Sequence, residues 1–398
     1  MALTSSLSPP AKPVPPATAP ARIVFVTTTL STGGAELMLL KLLQHLDRSQ
    51  FEPSVVSLKT HGEVGPRLEA LNIPVLALNL RPGFPNPLKL LKLALFLRQT
   101  RPALVQTWMY HADLLGGLAA KLAGCPKVVW SIRNSNLDPH LTKRTTRWVV
   151  KACALLSSWL PSAVLSCSLG ARDLHAMAGY RSQKFIVIPN GFDLDKFKPD
   201  ESARQNVRAE LNLPPDTRLV GLIARHDPQK NHLGFIEAAA QICRVLPQVN
   251  FLLAGDGVDR HNQDLLAVIQ REGLAKRVHL LGRRDDIPRI MASLDVLALS
   301  SSYGEAFPNV LGEAMACAVP CVTTDVGDSA EIVGPTGRVV AAGDMQGLAS
   351  QIVDLLRMTP RENADLGQEA RDRILTRFEI GNVTRRYEMF YEALLRGG

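Results

Sequence analysis

The sequence contains no uninterrupted apolar run of the roughly 20 residues that a membrane-spanning helix needs. Its nearest approach, WVVKACALLSSWLPSAVLSC at 148–167, is broken by Lys151, Ser157, Ser158 and Pro161, and reads as a helix followed by a buried strand. Aromatic residues are scarce, at 5%, and no basic segment is studded with them, so nucleic acid is not an expected partner. The six cysteines (Cys125, Cys153, Cys167, Cys243, Cys317, Cys321) show no CxxC spacing. That excludes a zinc ribbon and a disulfide framework and fits a reducing cytoplasm. No segment recurs with a period of about 20 to 50 residues, which excludes solenoids and propellers. The first 21 residues, MALTSSLSPPAKPVPPATAPA, lack the apolar core of a signal peptide and are expected to form a disordered tail.

What is there is a chain of 398 residues with 46% hydrophobic content, enough for about two domains with separate cores. Its net charge of +8 is unevenly spread: residues 22–195 hold 20 Lys and Arg against 10 Asp and Glu, whereas residues 196–398 hold 24 against 27. An N-terminal half this basic points to an anionic membrane surface or a phosphorylated acceptor. Short apolar strands alternate with helical patterns throughout: RIVFVTTT, SVVSL, ALVQTW, KVVWSI, AVLSCS and KFIVIPN, then LVGLIA, VNFLLAG, RVHLLG, DVLALS and PCVTT. This alternation predicts α/β architecture: two Rossmann-like domains whose parallel sheets face a central cleft. PNGFDLDKFKP (189–199), with its Asn-Gly turn and prolines, is the natural linker. The expected division is a tail at 1–21, an N-terminal domain at 22–190, a C-terminal domain at 191–380, and a final helix at 381–398. Val383, Tyr387, Phe390, Tyr391 and Leu394 form one stripe of that helix, which should pack back across a domain surface.

The chemistry concentrates in GEAFPNVLGEAMACAVP (304–320), where Glu305 and Glu313 stand eight positions apart. Pro308 suits a helix start, so Glu305 should lie in the entering loop and Glu313 on a helix running to about Ala318. The amides of Phe307, Pro308's successor Asn309, and Val310 would point out of that helix N-terminus, a favourable place for phosphate. An anion site flanked by two acceptor carboxylates implies a phosphorylated, hydroxyl-rich ligand. Arg225 and Lys230 emerge from the strand LVGLIA at the same sheet edge and could clamp a diphosphate; the alternative is two solvated loop charges. Gly33 and Gly34 precede a helix after the first strand, as either a ligand-approach site or a simple tight turn. His111 sits at a strand-to-helix junction with Asp113 close by, either orienting an acceptor hydroxyl or packing locally. DLD (193–195) mimics a metal-binding DxD but lies in the linker, and no metal site is expected. YRSQK (180–184) mimics a YxxxK pair, yet no helix holds it, and Cys317 and Cys321 read as two buried thiols.

Taken together, STGGAE, QTWMYHADLLGG, VIPNGFDLDKF, ARHDPQK, LAGDG and above all EAFPNVLGEAMACAVPCVTTDVGDSAEIV resemble the retaining GT-B glycosyltransferases of family 4, over nearly the whole chain from residue 22. The last stretch matches that family's E-x7-E element. The resemblance implies a metal-independent hexosyltransferase that uses a UDP- or GDP-linked sugar as substrate and needs no cofactor. In such enzymes the C-terminal domain holds the nucleotide sugar and the N-terminal domain the acceptor. Carried over by position, Glu313 would bind the ribose hydroxyls, and Glu305 would lie beside the transferred sugar. Arg225 and Lys230 would neutralise the departing diphosphate, with help from the amides at residues 307–310. One departure stands out: where family members often carry a histidine at the end of the fourth strand, this sequence has Trp108, with His111 three positions later.

The expected acceptor is a growing glycan or a lipid-linked carrier in cell-surface polysaccharide synthesis. A sugar-nucleotide 2-epimerase and a non-catalytic sugar-nucleotide-binding protein share the architecture. The first would need acid-base carboxylates that the N-terminal half does not show, and the second would not need Arg225, Lys230, Glu305 and Glu313 together. NPLKLLKLALFLRQT (86–100) and HLTKRTTRWVVKAC (140–153) combine cations with apolar residues, so a cytoplasmic protein that binds peripherally at the inner face of an anionic membrane is expected. The alternative for the first segment is an ordinary helix whose apolar face packs on the sheet.

Overall fold

The computed structural model describes residues 19–80, 86–138 and 142–397. Most of the expected N-terminal tail, and residues 140 and 141 of the second basic segment, lie outside these. The first half runs β1 (Ala21–Thr27), α1 (Gly34–His45), β2 (Phe51–Ser57), α2 (Gly65–Glu69), β3 (Val75–Ala77), α3 (Pro87–Thr100), β4 (Leu104–Trp108), α4 (Tyr110–Ala123), β5 (Val128–Ile132), α5 (Arg144–Leu156), β6 (Ala163–Ser166), α6 (Leu169–Met177) and β7 (Phe185–Val187). The second continues with α7 (Glu201–Glu210), β8 (Leu219–Ile223), α8 (His232–Val245), β9 (Asn250–Ala254), α9 (Gln263–Arg271), β10 (Val278–Leu280), α10 (Ile287–Ala292), β11 (Val296–Leu299), α11 (Asn309–Ala316), β12 (Cys321–Thr324), α12 (Ser329–Val333), β13 (Arg338–Val340), α13 (Met345–Arg357), α14 (Pro360–Phe378) and α15 (Ile380–Arg396).

Two all-parallel sheets result, of seven strands in the order β3-β2-β1-β4-β5-β6-β7 and six in the order β10-β9-β8-β11-β12-β13. Their inner strands are buried on both faces, as in β4, β5 and β9, because helices cover each side. Two strands that the apolar pattern did not anticipate, β3 and β13, are edge strands of three residues each. The strand order reverses between β1 and β4 in one sheet and between β8 and β11 in the other. Ligands of open parallel sheets bind where such a reversal opens a crevice at the C-terminal strand ends. Gly33 and Gly34 follow β1, His111 follows β4, Arg225 and Lys230 follow β8, and Glu305 follows β11. Every expected catalytic side chain therefore leaves one of the four strands that flank the two reversals.

The chain crosses between the halves twice, side by side: Phe192 pairs with Glu379, the Phe192 amide donates to Phe378 O at 2.8 Å, and the Ile380 amide donates to Phe192 O at 2.9 Å. After the second crossing, α15 lies on the N-terminal sheet domain. Ile380, Val383, Tyr387 and Tyr391 join one core with Ile23, Phe25, Met38, Leu42 and Trp108. The expected apolar stripe is thus the face that packs, with Phe390 and Leu394 at its margin. At the hinge, Gly312 is required for space, since a Cβ there would lie 2.2 Å from the Phe192 ring.

Candidate active site

β11 is wholly buried and delivers the chain into a loop that ends at Pro308, the N-cap of α11. The helix is shorter than expected and stops at Ala316, because Ala318 adopts a left-handed φ of 58°. Glu305 is 7% exposed; its Oε1 accepts from Lys230 Nζ at 2.5 Å and from Ser301 Oγ at 2.7 Å. Lys230 ends a 3-10 turn capped by Asp227, and its backbone carbonyl accepts from Ser300 Oγ at 2.8 Å. The loops after β8 and β11 are thus laced into one rigid edge. An ammonium has three donors, so this ion pair leaves Lys230 able to meet a second anion. Arg225 is turned away from it: its guanidinium meets Asp227 Oδ2 at 3.1 Å, and its side chain is 59% exposed. An exposed pair of this kind is weak enough to yield to a diphosphate.

The N-terminal domain closes over this edge. Gly34 opens α1 against α11, and a Cβ at Gly34 would lie 3.1 Å from Asn309 Nδ2. Neither helix start has a side-chain cap: Gly33 stands at the N-cap of α1 and Pro308 at that of α11. Two sets of helix-start amides, each at the positive end of a helix dipole, therefore approach one another, although in α1 the Glu36 carboxyl accepts from its own amide. This is an arrangement suited to an extended anion. Asn309 Oδ1 accepts from Asn190 Nδ2 at 2.8 Å, and Asn190 Oδ1 accepts from Arg133 Nη1 at 3.0 Å. The Arg133 guanidinium stacks 3.9 Å from the Trp108 ring centre and donates to the Tyr387 hydroxyl. Trp108, at the position where family members often carry a histidine, is fully buried and donates from Nε1 to Ala35 O at 2.9 Å. It braces α1 from below and faces no open cleft.

Further contacts cross between the halves. Ser135 Oγ donates to Glu305 O. The Asp328 carboxylate accepts the amides of Leu169 at 2.8 Å and Gly170 at 3.0 Å, holding the N-terminus of α6. Arg283 meets Glu63 at 2.6 Å.

Glu313 lies one turn into α11 on the hinge side, apart from Glu305 and its partners. Burial raises its pKa, against the opposing pull of the Lys41 and Lys196 cations. Lys41 itself donates to Gly191 O at 2.6 Å and sits 5.3 Å from the Phe192 ring centre. Phe307 stacks on Phe192, so its role is to seat the loop on the hinge, and Val310 packs against the core. His111 occupies the first turn of α4; burial, then the Lys59 cation, lowers its pKa and keeps the ring neutral near pH 7. The structure brings Glu305, Lys230, Gly34 and Asn309 to one cleft edge, but no hydrogen bond or ion pair among the described residues joins His111 or Arg225 to that group. Met109, just before α4, has φ of 79°, an uncommon conformation for a residue with a side chain and one that recurs beside functional sites.

Sequence reasoning missed Ser301, Ser135, Asn190, Arg133, Asp328 and Glu36. The last is a buried carboxyl in the first turn of α1; burial raises its pKa, and its Oε2 would stand 2.4 Å from a Cβ at Gly33. The sequence signal for it was its place two residues after the glycine pair, at the end of STGGAE.

Two family models match, each over one half. That for Glycosyltransferase Family 4 spans residues 32–196, and that for Glycosyl transferases group 1 spans 217–358. The chain belongs to the GT-B group 1 glycosyltransferases. This glycosyltransferase is 29% identical over 320 residues, 77% of its length, to the UDP-Gal:alpha-D-GlcNAc-diphosphoundecaprenol alpha-1,3-galactosyltransferase of Escherichia coli, of which 79% is covered. Its fold superposes on Anabaena HepE in complex with UDP and glucose with a TM-score of 0.81 at 27% identity, over 94% of this chain and 100% of the other. HepE has also been solved with UDP-glucose. Sucrose-phosphate synthase of Thermosynechococcus elongatus, at 21% identity and a TM-score of 0.79 over 95% of this chain and 100% of that one, shares the fold. Glycosyl transfer from a nucleotide sugar is the activity that these likenesses support.

Proposed function

We propose that this glycosyltransferase moves a hexosyl group, with retention of anomeric configuration and without a metal ion, from a UDP- or GDP-linked donor to a glycan or lipid-linked acceptor at an anionic membrane surface. The observation that carries the reading is the Lys230–Glu305 pair at the strand reversal, facing two uncapped helix N-termini. A glycosyl donor departs through a cationic, oxocarbenium-like transition state, so catalysis must stabilise a leaving diphosphate and a positive ring together. Lys230, Arg225 and the α11 amides supply the first, and the Glu305 carboxylate supplies the second. Glu313 takes the ribose hydroxyls, and neutral His111 faces the acceptor side. The acceptor hydroxyl attacks from the face the diphosphate leaves and passes its proton to the departing phosphate oxygen, so no carboxylate nucleophile is needed. UDP is favoured over GDP because the Escherichia coli relative is named for a UDP-linked donor and HepE is complexed with UDP. The same relative acts on a diphosphoundecaprenol-linked sugar, which supports a lipid-linked acceptor here.

The test is consumption of a panel of UDP- and GDP-sugars, with and without chelator. Release of UDP that persists in excess chelator is expected. Consumption of no nucleotide sugar would overturn the reading, and activity that collapses in chelator and returns with magnesium or manganese would overturn its metal-free form.

A further inference from the structure

The helices α3, α4 and α5 form one layer on the N-terminal sheet, each packing on the next, while α1, α2 and α15 cover the opposite face. Among the described residues, the exposed large apolar side chains of this domain concentrate on the α3–α4–α5 layer: seven lie on α3, α4, α5 or just after it, against Leu169, Met177, Ile186 and, on α15, Met389 elsewhere. On α3 they are Leu88, Leu91 and Leu95, exposed although Leu93, Ala94 and Leu97 already bury the inner face. The inner face of α3 packs on the sheet, as the sequence alternative has it, and Leu88, Leu91 and Leu95 are apolar side chains left outside that face. On α5 the outward stripe reads Arg144, Trp148, Lys151 and Leu155, at the spacing of one helix face, with Trp148 71% and Leu155 82% exposed. Trp159 follows at 61% exposure, beside Lys121 at the end of α4.

Soluble surfaces rarely group so many large apolar side chains. The charge around them is of one sign: residues 86–159 hold 11 Lys and Arg against two acids, of which Asp113 is fully buried. Lys151 lies 5.6 Å from the Trp148 ring centre and Lys121 lies 5.7 Å from that of Trp159, so each exposed indole carries a cation at its side. An indole beside an ammonium suits the level of lipid headgroups, where the ring enters the acyl boundary and the charge meets phosphate. A second protein would supply acidic side chains for such a surface only piecemeal; a bilayer supplies anions everywhere along it.

We propose that the α3–α4–α5 layer is the membrane-docking face of the enzyme, lying flat on anionic phospholipid with Trp148, Leu155 and Trp159 inserted at the interface. This names the surface for the membrane partner proposed above and rests on that reading for its purpose. The loop that leads into α5 carries Ser135, whose hydroxyl donates to Glu305 O, so one end of the docking face adjoins the reaction cleft. A lipid-borne acceptor would enter there.

Of the four tryptophans, Trp108 and Trp130 are fully buried, so quenching of tryptophan fluorescence by acrylamide or brominated lipid reports this face almost alone. The full-length protein is mixed with vesicles of phosphatidylcholine containing phosphatidylglycerol, or of phosphatidylcholine alone, at low and high salt. Sedimentation with the anionic vesicles only, release by salt, protection from acrylamide and quenching by brominated lipid are the expected results. Trp148→Ala with Trp159→Ala should weaken vesicle partitioning about tenfold or more while leaving UDP-sugar consumption without vesicles unchanged. Vesicle binding with both indoles still open to acrylamide would overturn the proposal, as would no binding at low ionic strength. Concentration-dependent dimers that the double variant abolishes would overturn it in favour of a second copy of the chain. Vesicle binding by a protein that consumes no nucleotide sugar would leave the surface standing and remove the glycosyl-transfer reading instead.

Discussion

Lys230 Nζ stands 2.5 Å from Glu305 Oε1, a buried pairing between a cation expected to meet the leaving diphosphate and a carboxylate expected to meet the transferred sugar. The two proposed roles are thus coupled before any substrate arrives. Breaking the pair should separate binding from chemistry. Glu305→Ala frees Lys230 for phosphate, so calorimetric affinity for UDP should hold or tighten while turnover falls by about 100-fold or more. A parallel loss of affinity and turnover would place Glu305 in nucleotide binding instead.

Glu313 should behave in the opposite sense. Its carboxyl lies toward the hinge with Lys41 and Lys196, away from Glu305. Glu313→Ala should weaken UDP binding by about 1 to 3 kcal/mol through lost ribose contacts. Equal affinity in wild type and variant, measured by the same titration, would contradict the assignment.

Gly312→Ala puts a methyl 2.2 Å from the Phe192 ring at the hinge, where the ring also stacks on Phe307. Overpacking of this kind should cost about 1 to 3 kcal/mol. A urea midpoint unchanged from wild type would show that Phe192 moves freely, which its full burial argues against.

Asp113 provides a test by pH. Burial pushes its pKa up to about 8, although Thr107 Oγ1 and the Ser131 amide both donate to it. In the unfolded chain the same carboxyl titrates near 4, roughly. Between those two values the unfolded state releases a proton that the folded state keeps. This group's contribution to stability is therefore full below about pH 4 and lost as pH rises toward 8. Asp113→Asn does not titrate, so its stability relative to wild type should rise across that window by up to a few kcal/mol, on the order of the shift. A difference in urea midpoints that stays flat from pH 4 to 8 would show that Asp113 is ionised in the fold.

The sheets and the strand ends that carry the site were legible because buried parallel strands write themselves as apolar runs, and Pro308 marks where the loop of Glu305 meets its helix. β3 and β13 were not legible, since three edge residues, none of them fully buried, leave too short a pattern. Glu305 and Lys230 could be placed at one sheet edge from sequence, but not their contact. The relations of Ser135 to Glu305 and of Asp328 to the α6 amides could not be foreseen either, because they join residues more than 150 positions apart. The turning of Arg225 onto Asp227 is a local choice that an alternation of strands and helices does not encode.

Because α15 completes the core beneath α1, the first sheet domain is assembled from both ends of the chain. On a ribosome moving at about 5 to 20 residues per second, roughly 200 residues separate β7 from Tyr391, so that core waits on the order of 10 to 40 seconds for its last wall. During that interval the apolar side of α1 has no cover. A protein cut anywhere before residue 380 would therefore lose the closing wall of the N-terminal domain along with its own C-terminus.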